Sequence, residues 1–201
     1  MATLAIAILI AYAVLAFFVR VAIQVRDTGS TGLIGLREGA GPIEVLAGVM
    51  FLGGMVLGVL SPVLALTDAL EPIDALDKGA LHVIGTGLAS VGVLAVFLAQ
   101  LGMGESWRIG VSDEERTGLV TGGWFAVCRN PIYTSMIAAW TGFALMVPTG
   151  LGFVAVAVVT VGLELQVRAV EEPHLKRTHG EEYRAYASRV GRFLPGIGRL
   201  A

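Results

Sequence analysis

The chain has 201 residues, of which 55% are hydrophobic and 15% charged, and its formal net charge is −2. Soluble domains carry about 25% charged residues, so this low share and a mean hydropathy of +0.77 exclude an ordinary soluble domain. The near-neutral charge gives no reason to expect nucleic acid as a partner, and the single cysteine, Cys128, excludes an internal disulfide. The composition predicts an integral membrane protein.

Five apolar runs approach the length of roughly 20 residues that a helix needs to cross a bilayer. In chain order they cover residues 2–25, 42–67, 79–103, 132–147 and 151–170. The first run lacks the basic front of a signal peptide and is too long for its apolar part, which predicts a retained span. Only Pro148, Thr149 and Gly150 separate the last two runs, so they should form a tight helical hairpin. The prediction is an all-α integral membrane protein with about five transmembrane helices in a single membrane domain, residues 1–201.

Lys and Arg concentrate in three segments outside the runs: the loops after the first and third runs, and the tail after the fifth. They are Arg26, Arg37, Arg108, Arg116, Arg129, Lys176, Arg177, Arg184, Arg189, Arg192 and Arg199. Because cytoplasmic loops retain positive charge, we expect the N-terminus outside and the C-terminus in the cytoplasm, with the protein in the cell membrane. The polar residues then gather on one side and should form one site.

Charged side chains interrupt the last apolar run. Glu164, Arg168 and then Glu171 or Glu172 are spaced three or four residues apart and share one helix face. An ionisable residue within a span is costly and normally faces the bundle interior, which makes Glu164 and Arg168 candidate catalytic residues. The alternative is an interfacial salt bridge between them that only ends the helix.

The tail after the last run carries aromatic residues at helical spacing. Tyr183, Tyr186 and Val190 predict a cytoplasmic amphipathic helix, which serves either as a surface anchor or as a lid over the site. Of the three histidines, His174 and His179 lie in this charged tail and are expected to be solvated. His82, at the start of the third run, is expected to be structural.

Two blocks, "RNPIY" at residues 129–133 and "EEPHLKRTHGEEYRAYASRVGRFLP" at residues 171–195, resemble the isoprenylcysteine carboxyl methyltransferase family of membrane enzymes. That family has an R-H-P-x-Y motif followed by an E-E-x-x-L…G-x-x-Y-x-x-Y…R-F-x-P tail. The likeness covers residues 106–195. Two departures stand out: Asn130 replaces the motif histidine and cannot titrate, and Gly123-Trp124-Phe125 replaces a G-P-[YF] turn.

The resemblance implies a methyltransferase that binds S-adenosylmethionine (SAM) at the cytoplasmic ends of the last two spans. Residues 104–201 would be the cofactor-binding region, while residues 1–103 supply three helices. The implied partners are the lipid bilayer and a lipophilic or lipidated methyl acceptor, and no metal site is predicted. The implied cofactor-binding residues are Leu119, Val120, Gly123, Arg129, Asn130, Pro131, Tyr133, Glu171 and Glu172.

Each implied residue type suits one part of SAM. Glu171 and Glu172 can accept hydrogen bonds from the ribose hydroxyls or the ammonium group, and Arg129 can pair with the carboxylate. Tyr133 offers an aromatic face or edge. Pro131 should begin the fourth helix, where a missing N–H costs nothing.

Two other functions stay open. "GWFAVCRNPIY" also resembles a stretch of the NADPH-binding sterol reductases, which would replace methyl transfer by hydride transfer. The second alternative is a non-enzymatic scaffold or transporter subunit. The spans lack a series of polar residues that a solute could follow across the membrane, which argues against a transporter.

Overall fold

The computed structural model describes residues 1–35, 40–110 and 118–200, and helices dominate these ranges. The helices are α1 (Ala2–Thr28), α2 (Pro42–Leu66), α3 (Gly79–Gly102), α4 (Pro131–Met146), α5 (Gly150–Leu165) and α6 (Glu172–Arg189). A π-helical turn, Gln166–Glu171, joins α5 to α6 without a break. A second π-helical segment, Val14–Val19, lies within α1.

Within the described ranges, four helices are long and apolar enough to cross a membrane: α1, α2, α3 and the helical segment Gly150–Arg189, which is kinked at Gly180, where φ is +51°. This confirms the all-α integral membrane class. The predicted fourth span forms as α4, but its 16 residues extend only about 24 Å at 1.5 Å per residue. Pro131 begins α4, as predicted. Pro148 follows its end. The helix is therefore shorter than the hydrocarbon core of a bilayer, which is about 30 Å thick.

Glycines let the helices approach closely in two pairs, α3 with α4 and α2 with α5. A Cβ atom on Gly142 of α4 would lie 2.3 Å from the backbone nitrogen of Ala89 in α3. One on Gly54 of α2 would lie 2.9 Å from the nitrogen of Val159 in α5, and one on Gly58 would meet the Trp140 ring at 2.3 Å. Gly54 and Gly58, whose spacing suits close helix contacts, therefore serve packing within the bundle.

Substitution of Gly142 by Ala should lower the free energy of unfolding by about 1–3 kcal/mol, because the added methyl group overpacks the α3–α4 contact. Gly87→Ala in α3 is the matched control, since a Cβ atom added there would meet no described atom of another element within 4 Å, and Ala favours a helix over Gly. Thermal unfolding in detergent should show a lower melting temperature for Gly142→Ala alone. Equal melting temperatures would contradict this packing.

The loops gather at the two ends of the bundle as the charge pattern predicts. At one end, β1 (Leu33–Gly35) pairs in parallel with β2 (Ile109–Gly110), joining the loop after α1 to the loop after α3. At the other end, the backbone N–H of Ile73 donates to the carbonyl of Pro148 over 2.8 Å. Arg37 and Arg116, which contribute to the predicted charge pattern, lie outside the described residues. The cytoplasmic orientation of the first end stays a prediction.

Buried polar side chains of α1 also hold the loop after α3. Arg20 is 1% exposed, donates to the carbonyl of Gly104 over 2.6 Å and lies 4.5 Å from the ring centre of Trp107. Gln24 donates to the carbonyl of Glu105 over 2.9 Å. These contacts fix the loop that forms one wall of the site.

Candidate functional site

A cavity of about 710 Å³ extends from the interior of the helix bundle to the end that carries the charged loops. Its volume lies within the range of about 300–1,000 Å³ typical of small-molecule sites. Apolar residues of α1, α2, α4 and α5 line the inner part, among them Tyr12, Phe17, Phe51, Met55, Met136 and Leu163. Polar residues line the other end, among them Arg108, Arg129, Asn130, Tyr133, Glu171, Glu172, His174 and His179.

The Arg-Asn-Pro segment before α4 is held by the chain that follows α6. The backbone N–H of Arg129 donates to the carbonyl of Gly191 over 2.9 Å, and that of Asn130 to the carbonyl of Arg192 over 3.1 Å. The side-chain amide of Asn130 donates to the same Arg192 carbonyl over 3.0 Å. Asn130 therefore positions the tail against the start of α4.

A buried ion-pair network connects this segment with α6. Arg129 donates to Glu172 Oε1 over 2.7 Å, and Arg192 donates to both carboxylate oxygens over 2.6 and 3.0 Å. The side chains of Arg129 and Glu172 are only 2% and 6% exposed. The hydrogen bond with Glu172 raises the pKa of Arg192, so its guanidinium group stays charged. Two cations face one anion, which leaves the network with one net positive charge.

Arg129 also binds the backbone of the tail. Its guanidinium group donates to the carbonyls of Ala187, Val190 and Gly198 over 2.8, 3.3 and 3.1 Å. Its Nε atom is buried and has no hydrogen-bond partner among the described residues. One buried donor of this cationic side chain is thus unsatisfied beside the cavity.

Glu171 and Tyr133 form a second polar contact at the cavity wall. The hydroxyl of Tyr133 donates to the carboxylate of Glu171, and the side chain of Gln166 also hydrogen-bonds this carboxylate. Gln166 and Glu171 are the first and last residues of the π-helical turn, and both line the cavity. The two adjacent glutamates therefore differ: Glu172 is held between two arginines, and Glu171 presents its carboxylate to the cavity.

Eight of the predicted cofactor-binding residues line this cavity, and one does not. The eight are Leu119, Val120, Arg129, Asn130, Pro131, Tyr133, Glu171 and Glu172. Gly123 is exposed, lies outside the cavity lining and has a φ of +57°, which the turn before the helical segment Gly123–Ala126 requires. The described contacts thus give Gly123 a conformational role.

The candidate catalytic residues Glu164 and Arg168 also lie outside the cavity lining. They form an ion pair with each other across one helical turn, and their side chains are 35% and 58% exposed. The salt bridge of the alternative interpretation is therefore present, although the helix does not end there but continues into α6. Because the two side chains are partly exposed and pair with each other, neither is a buried, unpaired charge.

The sequence interpretation missed the histidines. His174 is 4% exposed, so its expected solvation is wrong, and both His174 and His179 line the cavity. The signal was a spacing of three or four residues in the part of α6 before the kink at Gly180, which puts one face of that part toward the cavity. The cavity-lining residues with this spacing are Glu172, Leu175 and His179, and Tyr183 and Tyr186 line the cavity from the part of α6 after the kink.

The apolar face of α6 also packs against the loop before α4. Tyr183 and Tyr186 are buried, and the hydroxyl of Tyr186 donates to the carbonyl of Phe125 over 2.6 Å. The predicted amphipathic tail helix therefore covers the polar end of the cavity.

Near this end of the cavity, burial raises the pKa of the Cys128 thiol, so this cysteine stays neutral near pH 7 and lacks the thiolate of a nucleophile.

Comparison with known proteins identifies a family for the region that forms much of this cavity. The model of the phospholipid methyltransferase family matches residues 80–182, just over half of the chain. The chain belongs to the phospholipid methyltransferase family. The match begins in α3, includes α4 and α5, and ends within α6, so it contains Arg129, Tyr133, Glu171 and Glu172.

The nickel-cobalt-cadmium resistance protein NccN of Alcaligenes xylosoxydans xylosoxydans is a relative with 30% identity over 117 residues. The aligned part is 57% of this chain and 53% of NccN, so the chain spans about half the length of this curated relative. In the described ranges, no group of three or more His, Cys, Asp or Glu side chains is placed to hold a metal ion.

The family takes its name from phospholipid methyltransferases, and the matched residues include the polar side chains at one end of the cavity. A cavity that is apolar inside the bundle and polar at one end is typical of small-molecule sites.

Proposed function

We propose that the protein is a SAM-dependent methyltransferase whose acceptor is lipophilic, either of the isoprenylcysteine-carboxylate type or another lipid-like molecule. The observation that carries this proposal is one cavity with two contrasting parts. Its polar end presents Glu171, Tyr133 and Arg129, and its apolar part runs between membrane helices. The polar end would face the cytoplasm, where the Lys- and Arg-rich segments are expected.

The donor set at the polar end fits SAM. The unsatisfied Nε of Arg129 and the net positive charge of its network with Glu172 and Arg192 suit the carboxylate of SAM. Glu171 suits the ammonium group or a ribose hydroxyl, and Tyr133 adds an aromatic face. Glu172 acts in this proposal by positioning Arg129 rather than by contacting the cofactor. When bound, SAM supplies an electrophilic methyl group on a positively charged sulfur.

The chain's own residues then align the reactants and exclude water. Tyr183 and Tyr186 of α6 cover the polar end, and the apolar wall of α1, α2 and α5 accommodates the hydrophobic part of the acceptor. A carboxylate acceptor is ionised near pH 7 and needs no base. For an amine acceptor, His174 and His179 are cavity-lining side chains that can take up the released proton.

Methyl transfer can be measured on the purified protein in lipid nanodiscs with SAM carrying a tritiated methyl group. We expect label in the organic-soluble fraction of an added membrane lipid extract, with a large loss for Glu171→Gln and none for Glu164→Gln. NADPH oxidation is followed in parallel. Oxidation of NADPH without transfer of label would replace the proposal by a reductase, and labelling that is equal in both variants would remove Glu171 from the site.

A further inference from the structure

Gln100 lies on the cavity wall with one unsatisfied polar atom. It belongs to the last turn of α3, lines the cavity and is 6% exposed. Its Nε2 donates to the carbonyl of Ala16 over 3.3 Å, whereas its Oε1 is buried and accepts no hydrogen bond from the described residues. Buried side-chain acceptors normally have a partner, so this oxygen needs an explanation.

The orientation of the Gln100 amide follows from its neighbour. Ala16 lies in the π-helical segment Val14–Val19 of α1, and a π-helical turn disturbs the regular i to i−4 hydrogen bonds and leaves backbone groups in need of other partners. The amide nitrogen can donate to the Ala16 carbonyl, whereas the amide oxygen placed there would face another oxygen. The amide nitrogen therefore hydrogen-bonds to α1, and the amide oxygen has no hydrogen-bond partner among the described residues.

Gln100 lies in the last turn of α3, next to the loop whose residues line the polar end of the cavity. Tyr12 and Phe17 of α1 line the apolar part near it, and Trp107 and Arg108, in the loop after α3, line the polar end. An acceptor whose hydrophobic tail occupies the apolar part would bring its head group toward this polar end. A ligand with a hydrogen-bond donor at that place would satisfy Gln100 Oε1.

We propose that Gln100 Oε1 accepts a hydrogen bond from the head group of the methyl acceptor, which makes Gln100 a specificity-determining residue. The acceptor class then carries an N–H or O–H donor, as an amine or a hydroxyl group does. An ionised carboxylate has acceptors only and would set its own oxygens against this one. The inference rests on the proposed function and narrows its range of acceptors to donor-bearing lipids.

Three probes with the same alkyl chain test it: a long-chain primary amine, the corresponding alcohol and the corresponding carboxylic acid. Their binding to the full-length protein in detergent is followed by tryptophan fluorescence, without SAM. The wild-type protein should bind the amine and the alcohol about tenfold more tightly than the acid. Gln100→Leu should lose this preference, and Leu101→Val, an exposed position of the same helical turn outside the cavity lining, should keep it.

Gln100→Glu separates recognition from a structural role. It keeps an oxygen acceptor at this position and loses the donor to the Ala16 carbonyl, so we expect it to retain the preference for the amine over the acid. The proposal is overturned if the wild-type protein binds all three probes equally, if Gln100→Leu keeps the preference, or if Gln100→Glu loses as much as Gln100→Leu. Because SAM is absent from these titrations, a failure of SAM binding in a separate titration would count against the proposed function alone.

Discussion

Glu172→Gln is expected to lower the free energy of unfolding by about 3–5 kcal/mol, because removing one member of a buried ion pair leaves the remaining charge buried without a counter-charge. In this variant the guanidinium groups of Arg129 and Arg192 would stay close together without the anion that now accepts three hydrogen bonds from them. The tail bound to Arg129 should loosen with them. Thermal unfolding followed by circular dichroism in detergent measures the effect.

Glu164→Gln is the matched control for this prediction. It removes the same charge from a partly exposed ion pair with Arg168, so the expected loss is only about 0–1 kcal/mol. A melting temperature of Glu172→Gln as high as that of Glu164→Gln would show that the buried network contributes no stability.

Glu171→Gln is expected to weaken SAM binding by about 10- to 100-fold while leaving the melting temperature nearly unchanged. Hydrogen bonds to a charged group contribute about 1.5–3 kcal/mol, which corresponds to that range in affinity. The neutral amide can still accept the hydrogen bond of Tyr133, so the local structure should persist. Isothermal titration calorimetry with SAM gives the affinity of each variant.

Two further variants serve as comparisons for the SAM affinity of Glu171→Gln. Glu181→Gln removes an equal charge from an exposed residue of α6 whose side chain pairs with Arg184, and it should bind SAM like the wild-type protein. Tyr133→Phe removes the hydroxyl that now holds the Glu171 carboxylate and should change the affinity less than Glu171→Gln does. Wild-type affinity in Glu171→Gln would remove this carboxylate from the cofactor site.

Hydropathy was sufficient to predict the helices and their hairpin. The apolar runs correspond to α1, α2, α3 and the two helices around the turn at Pro148, since each span must satisfy its backbone hydrogen bonds internally. The charge pattern also predicted which loops meet. The run predicted for α4, residues 132–147, agrees within one residue with the helix Pro131–Met146, and Pro131 and Pro148 mark where this helix begins and ends.

The partners within the site could not be predicted from spacing. Arg129 and Glu172 are 43 positions apart, and both were assigned to a ligand, but each binds the other because the tail after α6 returns to the start of α4. Arg192 enters the network by the same return. Glu164 was expected to face the bundle interior because it is an acid in an apolar run, but it pairs with Arg168 outside the cavity lining.

The measurement that decides between methyl transfer, hydride transfer and a non-enzymatic role is a calorimetric titration of the purified wild-type protein with SAM and, separately, with NADPH. Saturable binding of SAM, lost in part in Glu171→Gln and with no binding of NADPH, is the predicted result. Binding of NADPH without SAM would make the cavity a reductase site, and binding of neither by a protein with an intact melting transition would contradict a cofactor site at Glu171 and Arg129.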